Sequence, residues 1–241
     1  MAHDQHAVHF RRLTMILYIL TEIPDREAGG NNYVRLALQA ASGDLCLVAR
    51  YNQVSLALLE ELRPWAVCHS GGGACYDEYD ILQCDGYREA ALGWSGPQIG
   101  FCGGHQLLAA LHGGTLGHMG PLREDDADHN PDKWPGYYKE WGMYPVRVLA
   151  PDPLFDGLGE VIRVPEYHMD EVTALPDDFI LLASSARCRV QAYRHRDKPL
   201  YGTQFHPEKL VEGYPDGKRV LDNFFAIARA ERAAGQECGK V

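Results

Sequence analysis

Between Thr14 and Leu111, short apolar β-branched runs alternate with stretches of helical period, and this alternation restricts the fold more than any other feature of the chain. Thr14 to Leu20, Asp44 to Ala49, Trp65 to Cys68 and Gln98 to Phe101 read as strands. Asn32 to Ala41, Val54 to Leu62, Gly86 to Leu92 and His105 to Leu111 read as helices. Strands separated by helices pair in parallel, because the return crossover must pass over one face of the sheet. The expectation is a doubly wound, mostly parallel α/β sheet flanked by helices. The second half has a different rhythm. Tyr144 to Leu149, Val161 to Pro165, Phe179 to Ala183, Arg189 to Tyr193 and Leu200 to Gln204 are short strand candidates with few helical signals between them, which predicts an antiparallel or mixed extension. Leu221 to Arg232 reads as a closing amphipathic helix.

The 241 residues suit one domain, expected at 14–241, after a polar, His-rich flexible tail at 1–13. Residues 121–140 look like an insertion. Within them Pro121 to Tyr138 has no regular period and reads either as a solvated connecting loop or as a lid or docking loop. The formal net charge of -10 repels phosphate backbones and anionic lipids, so neither nucleic acid nor membrane is an expected partner. Seven scattered cysteines (46, 68, 75, 84, 102, 188, 238) form neither a disulfide framework nor a zinc spacing; reduced thiols in a cytoplasmic compartment fit best. The run Met15 to Leu20 is too short to span a bilayer, and Thr21 to Asp25 lacks a small-residue cleavage pattern. No metal or cofactor is implied.

Three segments carry chemistry. Gly100-Phe101-Cys102-Gly103-Gly104-His105-Gln106 follows a buried strand and opens a helix, the setting of a nucleophile elbow. Its glycines relieve crowding around an exposed nucleophile, and the helix N-terminus is expected to lower the Cys102 pKa. The other six cysteines read as small core residues. Gln204-Phe205-His206-Pro207-Glu208 ends a strand with an imidazole and a carboxylate in a set relation, suited to a general base and the group that orients it. Ser70-Gly71-Gly72-Gly73 follows the third strand and can turn backbone N–H groups toward an anion, although a flexible turn has the same composition. Tyr167-His168-Met169-Asp170 offers a carboxylate that could hold an α-amino group.

Together these segments resemble the class-I, triad-type glutamine amidotransferases, a family that includes the glutaminase units of GMP synthase, anthranilate synthase and carbamoyl-phosphate synthetase. The Gly-x-Cys-x-Gly-x-Gln elbow is matched by Gly100, Cys102, Gly104 and Gln106, and the Gln-Phe-His-Pro-Glu run by Gln204 to Glu208. The resemblance covers roughly Thr14 to Ile227. It implies Cys102 as nucleophile, His206 as base and Glu208 as its orienter. It also implies an oxyanion hole from the N–H groups of Gly72 and Gly103, and contact of Gln106 with glutamine. Asp170 would sit near the α-amino group, with Tyr167 and His168 lining the pocket. Tyr167 departs from the serine seen in GMP synthases. The implied activity releases ammonia from the glutamine side chain through a cysteinyl thioester, for a synthetase expected as a separate polypeptide. Two other readings use the same residues: a stand-alone γ-glutamyl hydrolase, and a catalytically silent regulatory subunit. Cys102→Ala is expected to abolish glutamine hydrolysis while the far-ultraviolet circular dichroism stays unchanged; turnover at the wild-type rate in this variant would remove the nucleophile assignment.

Overall fold

The computed structural model describes residues 14–23, 31–73 and 78–238, so the tail expected at 1–13 lies outside the described residues. Strand β1 (Met15–Leu20) is the centre of the first half. Its side chains alternate: Ile16, Tyr18 and Leu20 join one apolar cluster, Leu17 and Ile19 another. A strand buried on both faces must be covered by helices on both, and it is. Helix α1 (Asn31–Ser42) contributes Val34 and Leu38 to the first cluster. Helices α2 (Leu56–Leu62) and α3 (Asp85–Gly93) contribute Leu59, Tyr87 and Ala90 to the second. Helix α2 starts where the Ser55 side chain accepts from the Leu58 N–H and stops at Arg63 in the left-handed conformation (φ 50°).

The remaining strands are β2 (Leu45–Arg50), β3 (Val67–His69), β4 (Gln98–Phe101), β6 (Glu140–Val148), β7 (Val161–His168), β9 (Phe179–Ser184), β10 (Ala192–His195) and β11 (Leu200–Thr203). With β1 they form one nine-stranded sheet in the order β2-β1-β3-β4-β11-β10-β9-β6-β7. Pairing is parallel from β2 through β11 and antiparallel from β11 through β7. The expected mostly parallel sheet with an antiparallel extension is therefore present. The long helix α5 (Asp216–Cys238) returns across the first face, burying Val220, Leu221, Phe224, Phe225 and Ala228. Phe225 meets Trp65 edge-on at 5.6 Å between ring centroids. Each such large apolar side chain contributes about 1.5–3 kcal/mol on burial.

Two expectations differ from the structure. Strands β5 (Thr115–His118) and β8 (Asp170–Ala174) pair in a separate small sheet that the sequence pattern did not announce. Both are short and half-exposed, and they lack the apolar alternation that marks a strand. The second difference concerns the inserted segment: β6 begins at Glu140, inside it, and Lys139 and Glu140 are both buried. An ion pair from Asp126 to Arg187 at 2.7 Å fixes the segment to the body, and Asp128 pairs with Lys139 within the segment at 2.6 Å.

The register puts His69 of β3, Gly100 of β4 and Gly202 of β11 at one level, so the residues just after these strands meet at the carboxyl edge. Helix α4 (Gly103–Leu111) then leaves so sharply that a Cβ on Gly100 would lie 2.4 Å from the Gly104 carbonyl carbon and 2.6 Å from the His105 nitrogen. No side chain fits there. Gly100→Ala should destabilise the fold by about 1–3 kcal/mol through overpacking and disturb the elbow. Thermal melting with a glutaminase assay checks this, and a variant with native melting temperature and activity would contradict the packing described.

Candidate active site

The turn after β4 holds Cys102 at φ 46°, ψ −104°, a conformation that costs free energy for any residue with a Cβ. It persists because the Cys102 N–H donates to the Thr203 carbonyl at 2.8 Å, while the Cys102 carbonyl accepts the Gln106 N–H at 3.0 Å as the first bond of α4. The thiol thereby stands at the carboxyl edge of the sheet, at the floor of a cleft of about 270 Å³. Among the described residues the cleft is also lined by Gly71 to Gly73, Tyr167, His206, Glu208 and Lys209. A larger groove of about 470 Å³ opens at residues preceding β3, β4 and β11, including Arg63, Pro97 and Pro199, but among the described residues neither cysteine nor histidine lines it.

His206 follows β11, its N–H held by the Pro165 carbonyl at 2.9 Å. Its Nδ1 lies 2.6 Å from Glu208 Oε1, and both side chains are buried. The carboxylate can only accept, so Nδ1 carries the hydrogen and Nε2 presents its lone pair. A Cβ placed on Gly71 would be 3.0 Å from His206 Cε1 and 3.4 Å from Cys102 Cβ, so imidazole and thiol flank the same glycine.

The glycine loop packs on the elbow. A Cβ on Gly103 would meet the Gly72 nitrogen at 2.7 Å, which brings these two backbones side by side. The loop is tied to the end of β1: the Thr21 N–H donates to Ser70 Oγ at 2.9 Å, the Thr21 hydroxyl to the Ser70 carbonyl at 2.9 Å, and the Gly73 N–H to Glu22 Oε2 at 2.8 Å.

The chain matches the family model "Glutamine amidotransferase class-I" over residues 48–228, three quarters of its length. It belongs to the class-I glutamine amidotransferases. Among curated relatives, a glutamine-hydrolyzing GMP synthase subunit of Pyrococcus abyssi is 32% identical over 185 residues, covering 72% of this chain and 80% of the relative. The protein of the same description from Methanothermobacter thermautotrophicus is 37% identical over 134 residues, 56% of this chain and 62% of the relative. Among solved structures, a Thermoplasma acidophilum protein assigned as a GMP synthase subunit superimposes with a TM-score of 0.71 at 27% identity, covering 92% of this chain and 98% of that one.

The predicted site residues of this amidotransferase fall into two groups. Cys102, His206, Glu208, Gly72 and Tyr167 line the cleft, with Gly103 against Gly72. Gln106 lies beneath it, buried; its Nε2 donates to the Asp170 carbonyl at 2.7 Å and to Gln204 Oε1 at 2.9 Å. Gln204 Nε2 in turn reaches Cys102 Sγ at 3.6 Å, so Gln106 is linked to the Cys102 thiol through Gln204. His168 and Asp170 are not in the cleft lining. The Asp170 carboxylate pairs with His118, an outcome fixed by the unpredicted pairing of β5 with β8. His168 is buried with Nε2 3.0 Å from Glu140 and 3.2 Å from Glu166, while Nδ1 donates to the Asp170 carbonyl at 2.9 Å. Burial opposes charge on His168, but the two carboxylates outweigh it and hold the ring as imidazolium. These three side chains put one ligand atom each within 4.8 Å of one another, a spacing that could take a cation. The imidazolium occupies that place.

Burial pushes the Cys102 thiol up to about 12; Lys209 and the Gly103 N–H pull it down, and Glu166 and Glu208 add to the rise. This reverses the expectation of a lowered pKa, because the helix N-terminus acts on a group with almost no solvent. Burial also lowers His206 below its usual 6.5, against Glu208, which raises it. Thiol and neutral imidazole are therefore the resting pair. Sequence reasoning missed Gln204, Lys209 and Glu22. Gln204 and Lys209 border the His-Pro-Glu run and were legible only as its neighbours.

The pH dependence follows from the sign of the His206 shift. The neutral, base-competent ring persists above its lowered pKa and is lost as pH falls through it. The acid limb of kcat/KM for glutamine should lie below pH 6.5. A limb centred above that value would contradict a desolvated base.

Proposed function

We propose that Cys102, His206 and Glu208 hydrolyse the side-chain amide of glutamine and that the ammonia passes to a synthetase on a separate polypeptide. The observation that carries this reading is the hydrogen bond from His206 Nδ1 to Glu208 beside a strained, elbow-mounted Cys102. As glutamine enters, Cys102 Sγ attacks the amide carbon and its proton passes to His206 Nε2. The carbonyl oxygen becomes an oxyanion facing the Gly72 and Gly103 N–H groups. Collapse breaks the carbon–nitrogen bond; the leaving nitrogen takes the proton from His206 and departs as ammonia, leaving a γ-glutamyl thioester on Cys102. Water then attacks the thioester and gives a proton to His206. The second collapse returns that proton to sulfur and releases glutamate. Glu208 stabilises the imidazolium in both halves.

The relatives described as glutamine-hydrolyzing GMP synthase subunits support a GMP-forming synthetase as the ammonia acceptor. Five described cysteines are unpaired, which supports a reducing, cytoplasmic setting. Among the described residues no helix is long and apolar enough to cross a membrane.

His206→Ala should lower glutamine hydrolysis by about 100- to 10,000-fold, and Glu208→Gln by less, because the imidazole carries the proton and the carboxylate only orients it. Glutamate release should also be low in the isolated chain and rise when the GMP-forming synthetase and its nucleotide substrate are added. Wild-type turnover in His206→Ala would overturn the triad. Full activity without any partner, with γ-glutamyl amines accepted as readily as glutamine, would favour a self-sufficient γ-glutamyl hydrolase.

A further inference from the structure

The cleft has a wall that the triad does not use. Trp141 meets Tyr167 edge-on at 5.2 Å between centroids, and Tyr167 lies tilted against His206 at 5.7 Å. Lys209 stands on this wall, its Nζ 4.2 Å from the Tyr167 ring centroid. The Lys209 N–H donates to the His206 carbonyl at 3.1 Å, so the turn that sets the base also sets the lysine. The side chain is half-buried and lines the same cleft as Cys102.

Among the described residues no carboxylate forms an ion pair with Lys209. The two described carboxylates lining the cleft are engaged elsewhere: Glu208 receives the His206 N–H, and Glu22 receives the Gly73 N–H. An ammonium resting on a ring face is held weakly, by about 0.5–1 kcal/mol where water reaches it, and is free to swing to a stronger partner. A half-buried cation that pairs with no described carboxylate, beside a nucleophile that takes amides, matches a substrate that brings its own anion.

Resting on the glutaminase reading, we infer that Lys209 anchors the α-carboxylate of the substrate, with Tyr167 as the rest that keeps the ammonium in the cleft between turnovers. Glutamine placed with its amide at Cys102 carries that carboxylate at the far end of the side chain, where the cleft offers Lys209 and, on its rim, Lys133. Lys133 sits over Trp134 at 5.9 Å, in the inserted segment. Lys209 is the better anchor because its backbone is fixed to the triad.

The test compares L-glutamine with 4-aminobutyramide, which is glutamine without its α-carboxylate, on wild type, Lys209→Met, Lys209→Arg and Lys133→Met. Loss of one charge-assisted hydrogen bond to a carboxylate should raise KM for glutamine about 10- to 100-fold in Lys209→Met, with kcat within about 3-fold. The kcat/KM for 4-aminobutyramide, which shares any effect of Lys209 on the thiol, should fall by no more than about 3-fold, and Lys209→Arg should recover most of the glutamine affinity. An equal loss on both substrates would show that Lys209 acts on the thiol or the turn and would overturn the inference. So would a loss confined to Lys133→Met. Calorimetric titration of L-glutamate needs no turnover and reads the same subsite. Weaker binding to Lys209→Met than to wild type supports the anchor; equal binding, or none to wild type, refutes it. A wild type inert toward glutamine would strike at the hydrolysis reading alone and leave the glutamate titration to judge Lys209.

Discussion

The strained turn at Cys102 exists because three backbones approach more closely than side chains allow. Gly100 lies against Gly104 of the following helix, Gly104 against the His69 carbonyl, and Gly103 against the Gly72 nitrogen. Positive φ at Cys102 is then the geometry left to the chain, and the bond from its N–H to the Thr203 carbonyl locks it. Everything functional is referenced to this contact. The glycine loop, the elbow and the His206 turn follow three strands in register, so a shift in one strand would separate the Cys102 thiol from both the His206 imidazole and the glycine loop. A parallel sheet covered on both faces resists such a slip, since moving β1 by one residue would exchange its two apolar faces.

The electrostatics follow from the same burial. A thiol and an imidazole removed from water both favour their neutral forms, and Glu208 opposes this at His206 by favouring the charged ring. In the proposed mechanism, water exclusion defers charge separation to the moment of attack, when donors are already in place. Below the cleft a second buried group, Glu140, Glu166 and His168, fixes how β6 joins β7. Glu140 also receives the Ser185 hydroxyl at 2.7 Å and the Gln191 amide at 2.7 Å. Removing His168 would leave two buried carboxylates without a counter-charge, so this cluster holds the strand that carries Tyr167.

Much of this was readable in the sequence where the determining interactions are local. Strand β4 has the bounds its apolar run predicts, and the glycines of the elbow and the Gln-Phe-His-Pro-Glu run meet in space as their order suggests. What was not readable depends on contacts between distant segments. His168 looked like a cleft residue because it adjoins Tyr167, but alternation along β7 sends the two side chains to opposite sides. Asp170 looked like a free carboxylate because nothing local revealed that β8 would pair with β5 and bring His118 to it. Glu140 and Lys139 looked like loop residues because a charged pair gives no sign of burial until its partners arrive. The raised Cys102 pKa escaped for a related reason: a helix N-terminus is visible in sequence, whereas loss of solvent is a property of the folded whole.

The central claim is that the side chain on the strained elbow forms a covalent bond to substrate. The direct measurement is rapid acid quench of wild-type enzyme turning over saturating glutamine, followed by peptide mass spectrometry. The account predicts a γ-glutamyl adduct, labile to hydroxylamine, on the peptide containing Cys102 and on no other cysteine peptide. Glutamine hydrolysis that proceeds with no adduct at Cys102, or with the adduct on Cys46, Cys68 or Cys188, would contradict it.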